Sequence, residues 1–234
     1  MARKKRFCTR LEIVKLASEM FLSQGYTASS TKKMASKLGI SVGNLAYHFP
    51  TKEHLLVDLT QHLCEYHFQV MESKVDDGRT SLMAYLLELT SMMSVCEENL
   101  IAKDLYTSVY KNPMALALIR KADTQKAAKV FAAFCPEWSK DDFILAENMV
   151  SGIEYASLMR ENAEHIPLEN RIAMTLNMVL SVYQVPEDIR EAKIRAVLAM
   201  DYRHVGQQFI EGFTEYVDRV KQEALDQAYD QSTR

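Results

Sequence analysis

The chain has 234 residues, 28 Lys plus Arg against 31 Asp plus Glu, a formal net charge of −3 and 48% hydrophobic residues, which fills one large domain or two unequal ones and excludes a chain disordered throughout. Its four cysteines, Cys8, Cys64, Cys96 and Cys135, are too scattered for a disulfide scaffold or a paired-cysteine zinc module and suit a reducing cytosol. Its seven glycines form neither GxGxxG nor GxxxxGK[ST], which argues against dinucleotide and P-loop sites.

Apolar residues recur at spacings of three and four, and strand-like alternation is almost absent, so the chain reads as all-α. A first helix is predicted from Thr9, with Thr9 and Glu12 as a capping box. Ile13, Leu16, Ala17, Met20 and Phe21 form its apolar stripe, and Gly25 closes it. A short second helix follows, capped by Ser30 or Thr31, with Met34, Ala35 and Leu38 facing inward and Gly39 ending it. Ile40 plugs the turn. Ser41 caps a third short helix containing Leu45 and Phe49, which Pro50 terminates. Thr51 caps a long fourth helix ending near Asp76, Asp77 and Gly78. Beyond it Pro113, Pro136, Pro167 and Pro186 divide the body into helices over roughly 79–95, 98–110, 113–134, 139–162, 168–183 and 187–228. The last carries Leu198, Val205, Phe209, Phe213, Tyr216 and Val220 at near-heptad spacing. No secretory signal follows the opening residues Met1 to Arg6, and the apolar run 172–186 is too short to span a bilayer. The expectation is a cytoplasmic protein with no membrane partner.

Charge is unevenly spread. Residues 1–54 hold ten basic side chains and three acidic ones, +7, whereas the remainder holds 18 and 28, −10. A basic head on an acidic body points to a polyanionic partner, and a solvated basic tail is the plain alternative.

Residues 30–49 carry the most information. Two short helices meeting at a turn with Gly39 are the helix-turn-helix plan. Its first helix must brace the second, whose N-terminal residues must reach base edges in the major groove. Val42, Gly43 and Asn44 occupy those places. An Asn both donates and accepts, as adenine requires, and a Val meets a thymine methyl.

Gly25-Tyr26, Ser29-Ser30-Thr31, Met34-Ala35, Gly39-Ile40-Ser41, Leu45, His48-Phe49 and Lys52-Glu53 resemble the TetR/AcrR family of bacterial transcriptional regulators over about residues 9–60. The resemblance implies an all-α homodimer bound to double-stranded DNA. It would comprise a helix-turn-helix DNA-binding domain with a basic arm (1–50), a connecting helix (51–75) and a helical regulatory and dimerisation domain (76–234). It implies Thr31, Lys32, Ser41, Val42, Gly43, Asn44, Tyr47, His48, Thr51 and Lys52 as the DNA-facing set. Within that set Thr31 and Lys52 would lie on phosphate, and Lys32, Val42, Asn44 and Tyr47 against the groove. One position departs from the family pattern: Ala46 stands where a tyrosine usually helps hold the backbone. Tyr47, about 100° around the helix, cannot replace it. Either affinity is lower, or the arm Arg3 to Arg6 compensates through the backbone or the minor groove.

The body is rich in Met and aromatic residues, which suits either core packing or an adaptable apolar pocket. Met92, Tyr106, Tyr110, Phe131, Met149 and Tyr155 are the candidate lining of a pocket for an apolar small-molecule effector. Asp123, Glu147, Glu154 and Arg160 are candidate polar handles whose commoner fate is a solvated face. Ser151, Gly152 and Ala156, with the stripe of 187–228, suggest a helix-on-helix dimer contact, intrachain packing being the alternative. His62, Cys64 and His67 do not share a helix face well enough for a metal site, and Cys64 reads as a small buried side chain. No cofactor is expected. No activated nucleophile, HExxH or paired Glu-x-x-His pattern supports an enzyme. The expected function is therefore a ligand-responsive, sequence-specific regulator, usually a repressor. The alternative is a helix-turn-helix protein whose body binds a protein partner.

Overall fold

The computed structural model describes the backbone of residues 2–76, 81–159 and 165–233, with side chains for 9–70, 73, 81–159 and 165–227. Among the described residues there are eleven helices and no strand. The architecture is all-α, with a small N-terminal helix-turn-helix region and a larger helical body.

The head is built by α1 (Ala2–Gln24), α2 (Thr31–Lys37) and α3 (Val42–His48). Ile13, Ala17, Met20 and Phe21 of α1 are buried with Met34, Ala35, Leu45 and Phe49. Gly25 ends α1 at φ 89° and Gly39 ends α2 at φ 64°, left-handed values that cost glycine least. Ser30 Oγ accepts the Lys33 amide at 3.2 Å and Ser41 Oγ that of Asn44 at 3.1 Å, so both short helices carry side-chain N-caps. Phe49 is extended ahead of Pro50. The predicted start at Thr9 does not hold: α1 runs back to Ala2, so Thr9 and Glu12 lie inside a helix. The intervening Ala, Lys and Arg residues are good helix formers and no breaker interrupts them. The side chains of Arg3 to Arg6 lie outside the described residues.

Helix α4 (Lys52–Asp76) leads into α5 (Ser81–Glu98), α6 (Leu100–Lys111), α7 (Pro113–Val130), α8 (Lys140–Leu158), α9 (Leu168–Val182), α10 (Glu187–Leu198) and α11 (Tyr202–Thr233). Residues 77–80, where the end of α4 was expected, are outside the described set. Asn99 and Asn112 cap α6 and α7, Ser139 and Asp142 form a capping box on α8, and Pro167 and Pro186 precede α9 and α10.

The single helix expected over 187–228 is two. Asp201 Oδ1 accepts the His204 amide at 3.2 Å and starts α11, while the neighbouring Tyr202 is buried in the body. The apolar stripe of α11 also faces its own chain. Phe213, Tyr216 and Val217 are buried in the same core as Ile13 and Leu59, with Phe209 and Val220 against it. At Gly206 a Cβ would stand 2.6 Å from Val95 Cγ2 and 2.9 Å from the Ser91 carbonyl oxygen. Helix α11 therefore crosses α5 at a separation that excludes a side chain there.

Two cores result. The head core continues into the body through Leu105, Tyr106 and Phe213. The second is centred on Leu86, Phe131, Val150, Ile172, Leu176 and Tyr183.

Candidate nucleic-acid interface and interior cavities

Leu45 and Phe49 anchor α3 inward, at 1% and 3% exposure. The remaining turn of the helix is thereby presented outward. Val42 is 48% and Tyr47 61% exposed, and Ser41, Gly43, Asn44 and Ala46 are exposed with them. Tyr47 and His48 rings meet edge-on at 5.4 Å. Thr31, Val42, Ala46, Thr51 and Lys52 line one shallow depression between α2, α3 and the start of α4. The ten residues read as DNA-facing thus lie on α2, on α3 with its cap Ser41, and at Thr51 and Lys52 where α4 begins, and Lys32 is exposed on α2.

Lys52 is engaged within the chain. Its Nζ donates to the Tyr26 carbonyl at 2.9 Å and the Ser29 carbonyl at 3.1 Å, and stands 3.9 Å from the Tyr26 ring centroid. Burial lowers its pKa. Two of its three N–H donors tie down the α1–α2 turn, leaving one for an external anion.

The same turn is held from the body. Asp104 on α6 accepts the Thr27 amide at 2.8 Å and the Thr27 hydroxyl. A Cβ at Gly25 would stand 2.7 Å from the Asp104 carboxylate. Asp104 and Thr27 are not singled out by any sequence motif, because their pairing spans 77 residues.

Inside the body a cavity of about 230 Å³ lies between α4, α5, α6 and α11, with Tyr66, His67, Glu88, Met92, Tyr106 and Phe209 in its wall. A smaller one of about 60 Å³ reaches α7 and α8 through Tyr110, Asp123, Lys126 and Glu154, and shares His67, Glu88, Met92 and Tyr106 with the first.

Of the six predicted pocket residues, Met92, Tyr106 and Tyr110 meet here. Tyr155 stacks outside Tyr110 at 6.1 Å. Phe131 belongs to the second core, stacked on Tyr183 at 4.0 Å and 9°. Met149 is 67% exposed on α8 and lines neither cavity. These three departures have one cause: residues of like chemistry lie on different helix faces, and packing alone sorts them.

The polar candidates go the other way. Glu147 and Glu154 are 1% and 7% exposed, not solvated, while Arg160 lies outside the described residues. Glu88 and Lys126, which the sequence did not single out, form the charged wall between the cavities. Lys126 Nζ is 2.8 Å from Glu88 Oε1 and 3.0 Å from Asp123 Oδ1, and His67 Nδ1 is 2.7 Å from the same Glu88 oxygen. Burial would raise the Glu88 carboxyl, but Lys126 and His67 hold it down at about 2. Burial would likewise lower the Lys126 ammonium, and Asp123 and Glu88 raise it instead. His62 pairs with Glu65 and Lys221 while His67 turns to Glu88, so the two histidines serve different helices. No described helix is long and apolar enough to cross a membrane.

Residues 13–59 match the family described as bacterial regulatory proteins, tetR family. The chain is 26% identical to the HTH-type transcriptional regulator QacR of Staphylococcus aureus over 175 residues, 69% of this chain and 93% of that protein. It is 29% identical over 94 residues to the HTH-type transcriptional regulator LmrA of Bacillus subtilis, 38% of this chain and half of that protein. Among solved structures, a gamma-butyrolactone receptor (ArpA-like protein) aligns over 85% of this chain and 97% of its own, with a TM-score of 0.47 and 14% identity. The match to the tetR family of bacterial regulatory proteins covers the helix-turn-helix region of this chain, residues 13–59.

Proposed function

We propose that the chain is an effector-responsive transcriptional repressor that binds a near-palindromic operator as a homodimer, its domains being the head (1–50), the connecting helix (51–75) and the body (76–234). The observation that carries this reading is the outward half of α3. Val42, Gly43, Asn44 and Tyr47 are exposed while Leu45 and Phe49 fix the helix behind them, the arrangement a recognition helix needs. Asn44 is assigned to a base edge, Val42 to a thymine methyl, and Thr31, Ser41, Thr51 and the third Lys52 donor to phosphates. Ala46 leaves the wall beside Thr51 without a tyrosyl hydroxyl.

The test separates readout from grip. Asn44→Ala should relax preference at one position of each half-site, by roughly 1–3 kcal/mol of discrimination. Lys52→Ala should weaken all duplexes alike and reduce the salt slope by about one. Fluorescence anisotropy on a panel of single-base operator variants reads both. Equal loss on every duplex for Asn44→Ala would remove direct readout by that residue.

The dimer is assigned to α8 and α9. These helices pack together and leave Leu145, Met149, Met174 and Met178 40% or more exposed on their outer side, with Gly152 and Ala156 exposed on α8. The stripe of α11 is already used within the chain, so the face that remains is this one. A second copy is the occupant that a two-half-site operator requires. The double substitution Met149→Glu, Met174→Glu should convert the protein to a monomer by sedimentation velocity, with helicity retained. A persistent dimer would move the interface elsewhere.

The effector is assigned to the two interior cavities. Their position among six helices favours a small ligand over a protein partner, which would need an exposed patch.

A further inference from the structure

Asp123 on α7 and Glu147 and Glu154 on α8 each place a carboxylate oxygen within 4.8 Å of the other two. The group is not a surface acidic patch. Glu147 and Glu154 are 1% and 7% exposed and Asp123 is half-buried. The nearest cation is the Lys126 ammonium, bound to Asp123 and to Glu88. Two tyrosines brace the glutamates from outside: Tyr183 Oη donates to Glu147 Oε2 at 3.0 Å and Tyr110 Oη to Glu154 Oε2 at 2.8 Å. That accounts for one oxygen of Glu147. Its other oxygen, Oε1, is buried without a hydrogen-bond partner, and a buried carboxylate oxygen left so is costly.

We propose that Asp123, Glu147 and Glu154 are the protein ligands of a divalent cation of the oxygen-preferring class, such as Mn²⁺, Ca²⁺ or Mg²⁺. The donor set is all carboxylate, which selects hard cations over thiolate- or imidazole-preferring ones. The spacing fits, because oxygens about 2.1–2.5 Å from one ion lie no more than about 5 Å apart. The space fits as well. The cavity reaching Asp123 and Glu154 is about 60 Å³, room for an ion with one or two waters rather than a bulky organic cation. An ion here would tie α7 to α8 and give the Glu147 oxygen a partner.

Burial first, then the charge of Asp123, pushes the Glu147 and Glu154 carboxyls above the ordinary carboxylate range, while the Tyr183 and Tyr110 hydroxyls and Lys126 pull them down. This site stands apart from the DNA-binding reading and is tested without DNA.

The experiment is calorimetric titration of the chelator-treated full chain with Mn²⁺, Ca²⁺ and Mg²⁺ in turn. The expected result is one ion per chain for at least one of the three. Glu147→Gln and Glu154→Gln should each weaken binding at least about tenfold, and both variants should keep the helicity of the parent by circular dichroism. Absence of binding to all three ions at millimolar concentration would overturn the proposal. So would binding that both variants leave unchanged.

Discussion

Lys126→Met is expected to destabilise the protein by about 3–5 kcal/mol, the cost of leaving buried charge without its partner. The side chain is 10% exposed and its ammonium bridges Glu88 and Asp123. Its loss leaves, among the described residues, His67 as the one cation beside a Glu88 carboxylate that is 19% exposed and has a second oxygen already unpartnered, and leaves Asp123 without its ammonium. For a chain of this length the thermal midpoint should fall by roughly 6–20 °C. Adding Glu88→Leu removes the stranded charge, so the double variant should lose less than Lys126→Met alone, a coupling that differential scanning calorimetry resolves. The same cluster sets an acid limit. Glu88 is held at about 2 in the folded chain against about 4.3 unfolded. A depressed carboxyl contributes stability that is complete above the unfolded value and is lost as pH falls toward the folded one. The Glu88 contribution should therefore disappear between about pH 4.3 and pH 2, and Glu88→Gln should flatten that part of the acid profile.

Asp104→Ala is expected to lower specific operator affinity about ten- to hundredfold, because it removes two hydrogen bonds to a charged acceptor worth about 1.5–3 kcal/mol together. Asp104 receives the Thr27 amide and hydroxyl and fits against Gly25. It thereby fixes, from α6, the turn that sets the start of α2. Two residues further along α6, Tyr106 stands in the wall of both cavities. On the proposed function, a ligand pressing on Tyr106 would act on the helix that holds the head, and the coupling free energy would pass through this bridge. The variant should also blunt whatever change in operator affinity an effector produces, while its helicity and oligomeric state remain those of the parent. Unchanged operator affinity in Asp104→Ala would exclude this route.

The head was legible in the sequence because its signals are local. Ser30 and Ser41 as caps, Gly25 and Gly39 at positive φ and Pro50 as terminator each act within a few residues, and no distant packing competes with them. The body was legible as helices but not as faces. Phe131, Met149 and Tyr106 are alike in chemistry, yet one is in the core, one on the surface and one in a cavity wall. The break at Asp201 was hidden because the apolar spacing continues across it, and the cap is a single side chain. The buried acids did leave a trace. Glu147 and Glu154 fall on the same stripe as Phe143, Val150 and Leu158, at the three- and four-residue spacing that marks the inward face of α8. An acid on such a stripe is buried by its neighbours whatever its own preference, and reading the stripe before the charge would have found both.

The proposed function rests on sequence reading by the outward half of α3. The direct measurement is selection of bound duplexes from a random DNA pool by the purified full chain, followed by a salt titration on the enriched site. Enrichment of a near-palindrome whose half-sites lie about 34 Å apart, or a multiple of it, with affinity falling linearly in log salt, is the predicted result. Salt-sensitive binding that enriches no sequence would contradict it, since a head that grips phosphates alone has no recognition helix.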